Sequence, residues 1–120
     1  MSSSVGAAAE QKAAQFLERL GYVVLDRNYR CRMGEIDLVC EDGDVLCFVE
    51  VRARRHTRYG LPEETITREK KRRIALTARR YLVEKGITER ACRFDVVTIV
   101  GDGAPVLQRD AWEDVTYRDV

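Results

Sequence analysis

Between residues 5 and 20, Ala9, Ala13, Phe16, Leu17 and Leu20 recur at intervals of three and four, which predicts a helix with one apolar stripe. Gly21 follows as its stop, because glycine enters the left-handed conformation that closes a helix without a Cβ penalty. The period then changes. "YVVLDRNYRCR" reads as an extended strand leading into "GEIDLVCEDGDVLCFVEVR", residues 34–52, whose alternation brackets Asp42-Gly43, a preferred pair for a two-residue type I′ turn. With that turn, residues whose numbers sum to 85 lie opposite each other, so Glu35 faces Glu50 and Asp37 is its diagonal neighbour. One hairpin face is then wholly apolar (Ile36, Leu38, Cys40, Val45, Cys47, Val49, Val51). The other carries Glu35, Asp37, Val39, Leu46, Phe48, Glu50 and Arg52.

Further along, Ile74, Ala75, Ala78, Tyr81 and Leu82 place an apolar stripe on "REKKRRIALTARRYLVEKG", with Thr67 as N-cap and Gly86 as stop. This second helix has a basic outer face. "CRFDVVTIV" is rich in β-branched residues and predicts a strand, followed by the turn "GDGAP" and a short "VLQR". The loop "ARRHTRYGLPEET" is expected to be irregular because of Gly60 and Pro62, residues 1–4 to be flexible, and the tail from 108 to 120 to pack on the body through Trp112. The order α-β-β-β-α-β, with a final strand, predicts an α/β fold: a mixed β-sheet flanked by helices, in a single domain spanning 1–120.

Composition narrows the setting. The 120 residues, 45% hydrophobic and 34% charged, suffice for one core. No apolar run approaches the roughly 18 residues of a membrane span. "MSSSVGAAAE" lacks a basic n-region and an apolar h-region, so a cytoplasmic protein is expected. Cys31, Cys40, Cys47 and Cys92 show no C-x-x-C spacing and read as free thiols in packing roles. His56 is the only histidine, which excludes a histidine-based metal cluster and a two-histidine relay. The net charge of +1 conceals a segregation: residues 52–80 hold eleven Lys or Arg against three acids, a local +8, whereas six acids and two Arg follow from Asp95 onward. Such a basic concentration in a near-neutral chain is either a solvated face or a phosphate-binding surface.

The crowded carboxylates point to chemistry. Like charges across a strand pair are unfavourable, and Leu46 with Phe48 indicates that part of this face is covered. A divalent cation would reverse that cost. Asp37 and Glu50, diagonal and about 7–8 Å apart at Cα, can converge on one hard cation, Mg²⁺ or Mn²⁺, with Glu35 as a third oxygen donor. An ion held there would coordinate a phosphate oxygen and acidify a bound water, which is phosphodiester chemistry. Arg52 adds positive charge for the transition state, but a guanidinium cannot serve as a base.

D-(x)n-E-x-K on a hairpin resembles the PD-(D/E)xK restriction-endonuclease-like fold. Within it, the blocks "AAAEQKAAQFLERLGY", "DRNYRCRMGEIDLV", "FVEVRAR", "YGLPEETITREKKRRI" and "CRFDVV" resemble the bacterial YraN-like family, which is similar to archaeal Holliday junction resolvases. The resemblance implies a catalytic set of Glu10 on the first helix, Asp37, Glu50 and then a lysine. Here Arg52 stands in the lysine's place, and Lys70 on the second helix is the residue that could partly compensate. It further implies a Mg²⁺-dependent endonuclease acting on branched or damaged DNA, with DNA favoured over RNA and no membrane partner. Its binding face would comprise Arg54, Arg55, Arg68, Lys70, Lys71, Arg72 and Arg73. Junction cutting would favour a homodimer, since two symmetric strands are nicked. Two rivals remain: a binding module of the same fold whose nuclease site has decayed through Arg52, and an interaction protein whose acidic tail "DAWEDVTYRDV" meets a basic partner.

Overall fold

A computed structural model describes residues 6–55 and 66–113. Most of the "ARRHTRYGLPEET" loop, His56, residues 1–4 and the end of the tail lie outside them. Helix α1 spans Ala7–Arg19 and buries Ala13 and Leu17 of the stripe read from the sequence together with Ala14, whereas Leu20, at the cap, is exposed; Gly21 takes φ +97° just past its end. Strands β1 (Val23–Cys31), β2 (Gly34–Asp42) and β3 (Val45–Arg54) follow, then α2 (Arg68–Glu84), β4 (Cys92–Val100) and β5 (Val106–Trp112). Thr67 Oγ1 accepts the Lys70 N–H at 3.1 Å, so the expected N-cap starts α2.

The five strands form one mixed sheet in the order β1-β2-β3-β4-β5, parallel only between β3 and β4 and antiparallel elsewhere. A parallel pair needs a crossover, and α2 is contained in it. One helix covers each face: Leu38, Cys47, Val49, Val51 and Val97 pack under α1, whereas Val39, Leu46, Phe48, Phe94 and Val96 pack under α2. The predicted α/β domain, a mixed sheet flanked by helices, is the architecture found. β5 is longer than the expected "VLQR" and ends on Trp112, whose ring stacks on Phe94 at 5.2 Å between centroids, so this part of the tail is tied to the body.

Two details of the hairpin differ from the alternation argument. Asp42 pairs with Val45 and Leu38 with Val49, so the register sum is 87 and the turn residues are Gly43-Asp44. Gly43 has φ +60° whereas Asp44 is not among the positive-φ residues, which is the glycine-first pattern of a type II′ turn and not the I′ turn that Asp42-Gly43 predicts. The shift of two residues preserves the faces of β3 but moves Glu35 away from Glu50. In addition, Ile36 packs on the α2 side with Val39, not with Leu38 and Cys40 under α1. Strict alternation therefore breaks at Asp37, where pairing with β3 has already stopped at Leu38↔Val49.

All four cysteines are free: Cys40 and Cys47 are buried, Cys31 is half-buried and Cys92 exposed. Burial pushes the Cys40 and Cys47 thiols up to about 12, so both are inert packing groups at neutral pH. No described helix is long and apolar enough to cross a membrane.

Candidate active site

Beyond Leu38↔Val49 the backbone of β3 no longer finds β2. Asp37 fills that role with its side chain: Oδ2 accepts the Val51 N–H at 2.8 Å. The carboxylate is thereby turned toward β3 and buried, at 3% exposure. Glu50, 4% exposed and one residue before Val51, lies close enough to Asp37 to feel its charge. Burial first, and the charge of Asp37 second, push the Glu50 carboxyl up to about 7, against the opposing pull of Lys70.

Two cations meet Glu50 Oε2. Lys70 Nζ reaches it from the first turn of α2 at 2.8 Å, and Arg52 Nη1 stands 3.6 Å away on the same face of β3. Arg52 is buried, and burial followed by the charge of Arg54 lowers its affinity for the proton, although a guanidinium remains charged throughout the working range. Lys70 is the more exposed of the two, at 37% of its side chain.

Glu10 comes from the first turn of α1 and is buried. Its Oε1 accepts a hydrogen bond from Asn28 Nδ2 at 2.6 Å. Asn28 has φ +53°, the left-handed conformation that asparagine tolerates better than most residues, so β1 is kinked where it faces the acids. Glu35 pairs with Arg30 of β1, 3.8 Å from its Nε, and its buried Oε2 has no hydrogen-bond partner among the described residues. Burial, then the Asp37 charge, raises its pKa, and the charge of Glu10 adds to the effect. The open ends of the strands thus gather Asp37, Glu50, Arg52 and Lys70, and Glu35 beside them feels the charges of both Asp37 and Glu10.

The remaining basic residues diverge. Lys71 Nζ lies over the Trp112 ring, 5.8 Å from its centroid, toward β5. Arg54 and Arg55 line a concavity with Lys12 of α1 and Gly101, on the opposite side of the sheet from α2. Arg72 and Arg73 line another with the β1–β2 turn. Arg68 lies at the start of α2, on its exposed side.

Pattern reading missed Asn28 and Asp95. A lone asparagine inside a strand was the available signal for the first, since Asn favours the kinked conformation. Asp95 is fully buried: it accepts hydrogen bonds from Tyr22 Oη at 2.8 Å, Arg93 Nε at 2.9 Å and the Asp110 N–H at 2.9 Å. It holds the register irregularity between β4 and β5 and is a structural carboxylate.

Among the described residues, no group of three or more His, Cys, Asp or Glu is gathered closely enough to cage a metal. Asp37 and Glu50 form a pair. Two buried carboxylates that feel each other's charge, one of them with a raised pKa, are nonetheless a donor set that a hard cation with several water ligands fits, because the cation removes their repulsion.

A mixed sheet between two helices, with its acids where β2 and β3 part and the E-x-R step on β3, defines a restriction-endonuclease-like domain related to the PD-(D/E)xK superfamily. Residues 9–99 match the family model described as "Uncharacterised protein family UPF0102", and the chain belongs to that family, the YraN-like group its sequence blocks resemble. It is 53% identical over 98 residues to the UPF0102 protein of Pelotomaculum thermopropionicum, covering 82% of each chain. With the UPF0102 protein of Symbiobacterium thermophilum it shares 52% over 99 residues, 82% of this chain and 84% of that one. The Hahella chejuensis UPF0102 protein is 45% identical over 96 residues, 80% of this chain and 77% of its own length.

Proposed function

We propose that this protein is a metal-dependent phosphodiesterase acting on nucleic acid, with DNA, branched or damaged, as the favoured substrate. The observation that carries the reading is the buried Asp37–Glu50 pair with Lys70 Nζ 2.8 Å and Arg52 Nη1 3.6 Å from Glu50 Oε2. Asp37 and Glu50 would hold Mg²⁺ or Mn²⁺, whereas Glu35, expected as a third donor, stands against Arg30 and, among the described residues, forms no three-carboxylate group with them; when bound, the ion supplies Lewis-acid polarisation of a phosphate oxygen and an acidified water.

The chain's own residues supply the rest. The Val51 N–H keeps Asp37 in one orientation, so the carboxylate is positioned without a search over rotamers. Arg52 and Lys70 oppose the negative charge that grows on the phosphoryl oxygens, and burial strengthens the contribution of Arg52. Lys70 also carries an exchangeable proton at Nζ, the property that Arg52 lacks. Glu10, anchored by Asn28, adds negative potential that favours a cation in the same volume. A cytoplasmic location and, for a two-strand substrate, a homodimer fit this chemistry.

A second reading has its own support. Lys70 Nζ stands at the Glu50 oxygen that a metal would share, and Arg52 replaces the motif lysine, so the same residues suit a catalytically silent DNA- or RNA-binding module. Incubation with Mg²⁺ or Mn²⁺ and labelled duplex, flap, four-way, single-stranded DNA and RNA separates the two. Cleavage by the wild-type chain that Asp37→Asn abolishes supports the enzyme; binding without cleavage on every substrate supports the module.

A further inference from the structure

Beside the candidate active site, the β1–β2 turn and α2 enclose a concavity of about 690 Å³. Four guanidinium-bearing side chains line it, Arg30 from β1, Arg32 from the turn after it, and Arg72 and Arg73 from α2. Gly34 lets the two walls approach: a Cβ there would meet Thr77 Oγ1 at 3.2 Å and Arg73 Cβ at 3.5 Å. Through Gly34, Glu35, Glu69 and Arg73 the concavity continues into a smaller one of about 310 Å³ that Lys70 lines. A path lined by cations therefore runs from Lys70 past the turn to Arg32.

We propose that this concavity is the subsite for the phosphate neighbouring the reacting one on the same nucleic-acid strand. The inference rests on the phosphodiesterase reading for the position of the reacting phosphate. Its chemistry fits a polyanion: four cations face two acids, Glu35 and Glu69. The Arg73–Glu69 pair, at 3.1 Å, is an exposed i,i+4 contact, and the Arg30–Glu35 contact is 3.8 Å long. The first is exposed on both sides and the second is long, so each contributes little and a phosphate can replace the carboxylate partner; guanidinium suits phosphate through its paired N–H groups. The site enlarges the binding face to Arg30 and Arg32, which lie on an element separate from the basic helix.

Cys31 lines the concavity, whereas Cys92 lines a different one that Trp112 also borders, which provides a direct readout. The wild-type chain is alkylated with N-ethylmaleimide in EDTA, with and without a short DNA strand or duplex, and each cysteine is followed by peptide mass spectrometry. DNA should slow Cys31 alkylation at least fivefold and leave Cys92 unchanged, while inorganic phosphate should not protect. In Arg30→Gln, Arg32→Gln the protection should disappear and the log–log salt slope of binding shrink by about 1 to 2. Binding by fluorescence anisotropy with Cys31 alkylated at its free rate overturns the subsite and leaves the phosphodiesterase reading intact, as does protection by inorganic phosphate equal to that by DNA. Absence of DNA binding overturns both. Protection of Cys31 without cleavage on any substrate overturns the enzyme, and with it the assignment of this phosphate as the neighbour of a reacting one.

Discussion

Asp37 Oδ2 accepts the backbone N–H of Val51 at 2.8 Å, where the β2–β3 ladder has ended. One carboxylate thus closes the sheet and opens the site, so alanine at position 37 would strand a buried amide and confuse folding with function. Asparagine keeps an acceptor oxygen and removes the charge.

Calorimetric titration with Mn²⁺ should give a binding heat for the wild-type chain and none for Asp37→Asn, Glu50→Gln. Survival of that heat in the double variant would place the ion elsewhere.

Glu50 makes stability depend on pH. Its folded pKa of about 7 lies above its ordinary value of 4.5, so its contribution is fully present below about pH 4.5 and is lost as pH rises through 7. In EDTA, Glu50→Gln should therefore be more stable than wild type at pH 8, by about 3 kcal/mol at most, with the gap closing toward pH 5. Urea unfolding at both pH values checks this, and a gap independent of pH would refute it.

Affinity for duplex DNA should fall steeply with salt, with a log–log slope of roughly −4 to −5 for about four to six phosphates. Charge reversal at Arg72 and Arg73 should flatten it. Lys71→Ala should matter less, because its ammonium lies over Trp112. A slope near zero in the wild type would favour the interaction-protein alternative.

Single-turnover cleavage should slow about tenfold or more in Arg52→Ala and about a hundredfold in Lys70→Met, if each removes charge stabilisation from a water-poor site. Arg52→Lys should cleave as fast as wild type or faster. Wild-type rates in both Arg52→Ala and Lys70→Met would remove these cations from the reaction.

Asp95→Ala should cost about 3 kcal/mol or more, since it leaves Arg93 and Tyr22 without their buried partner. The loss should appear as a lower urea midpoint in the absence of any ligand. An unchanged midpoint would contradict the structural role.

Local physics made much of this protein legible from its sequence. Thr67, Gly21 and the three-four spacing of Ala13, Leu17, Ile74 and Ala78 mark both helices, because capping and amphipathicity are decided within a few residues. The β-branched "CRFDVVTIV" and the acids at 37 and 50 were equally readable. The hairpin register was not: Gly43 can occupy either central position of a two-residue turn, and a shift of two residues leaves every β3 side chain on its own face, so periodicity cannot separate the two pairings. Only the folded sheet selects the pairing that ends at Leu38↔Val49 and sends Asp37 to the Val51 amide. Only tertiary packing carries Lys70, twenty residues along, to within 2.8 Å of Glu50, because that meeting depends on how α2 seats on the sheet and not on either residue's neighbours in the chain.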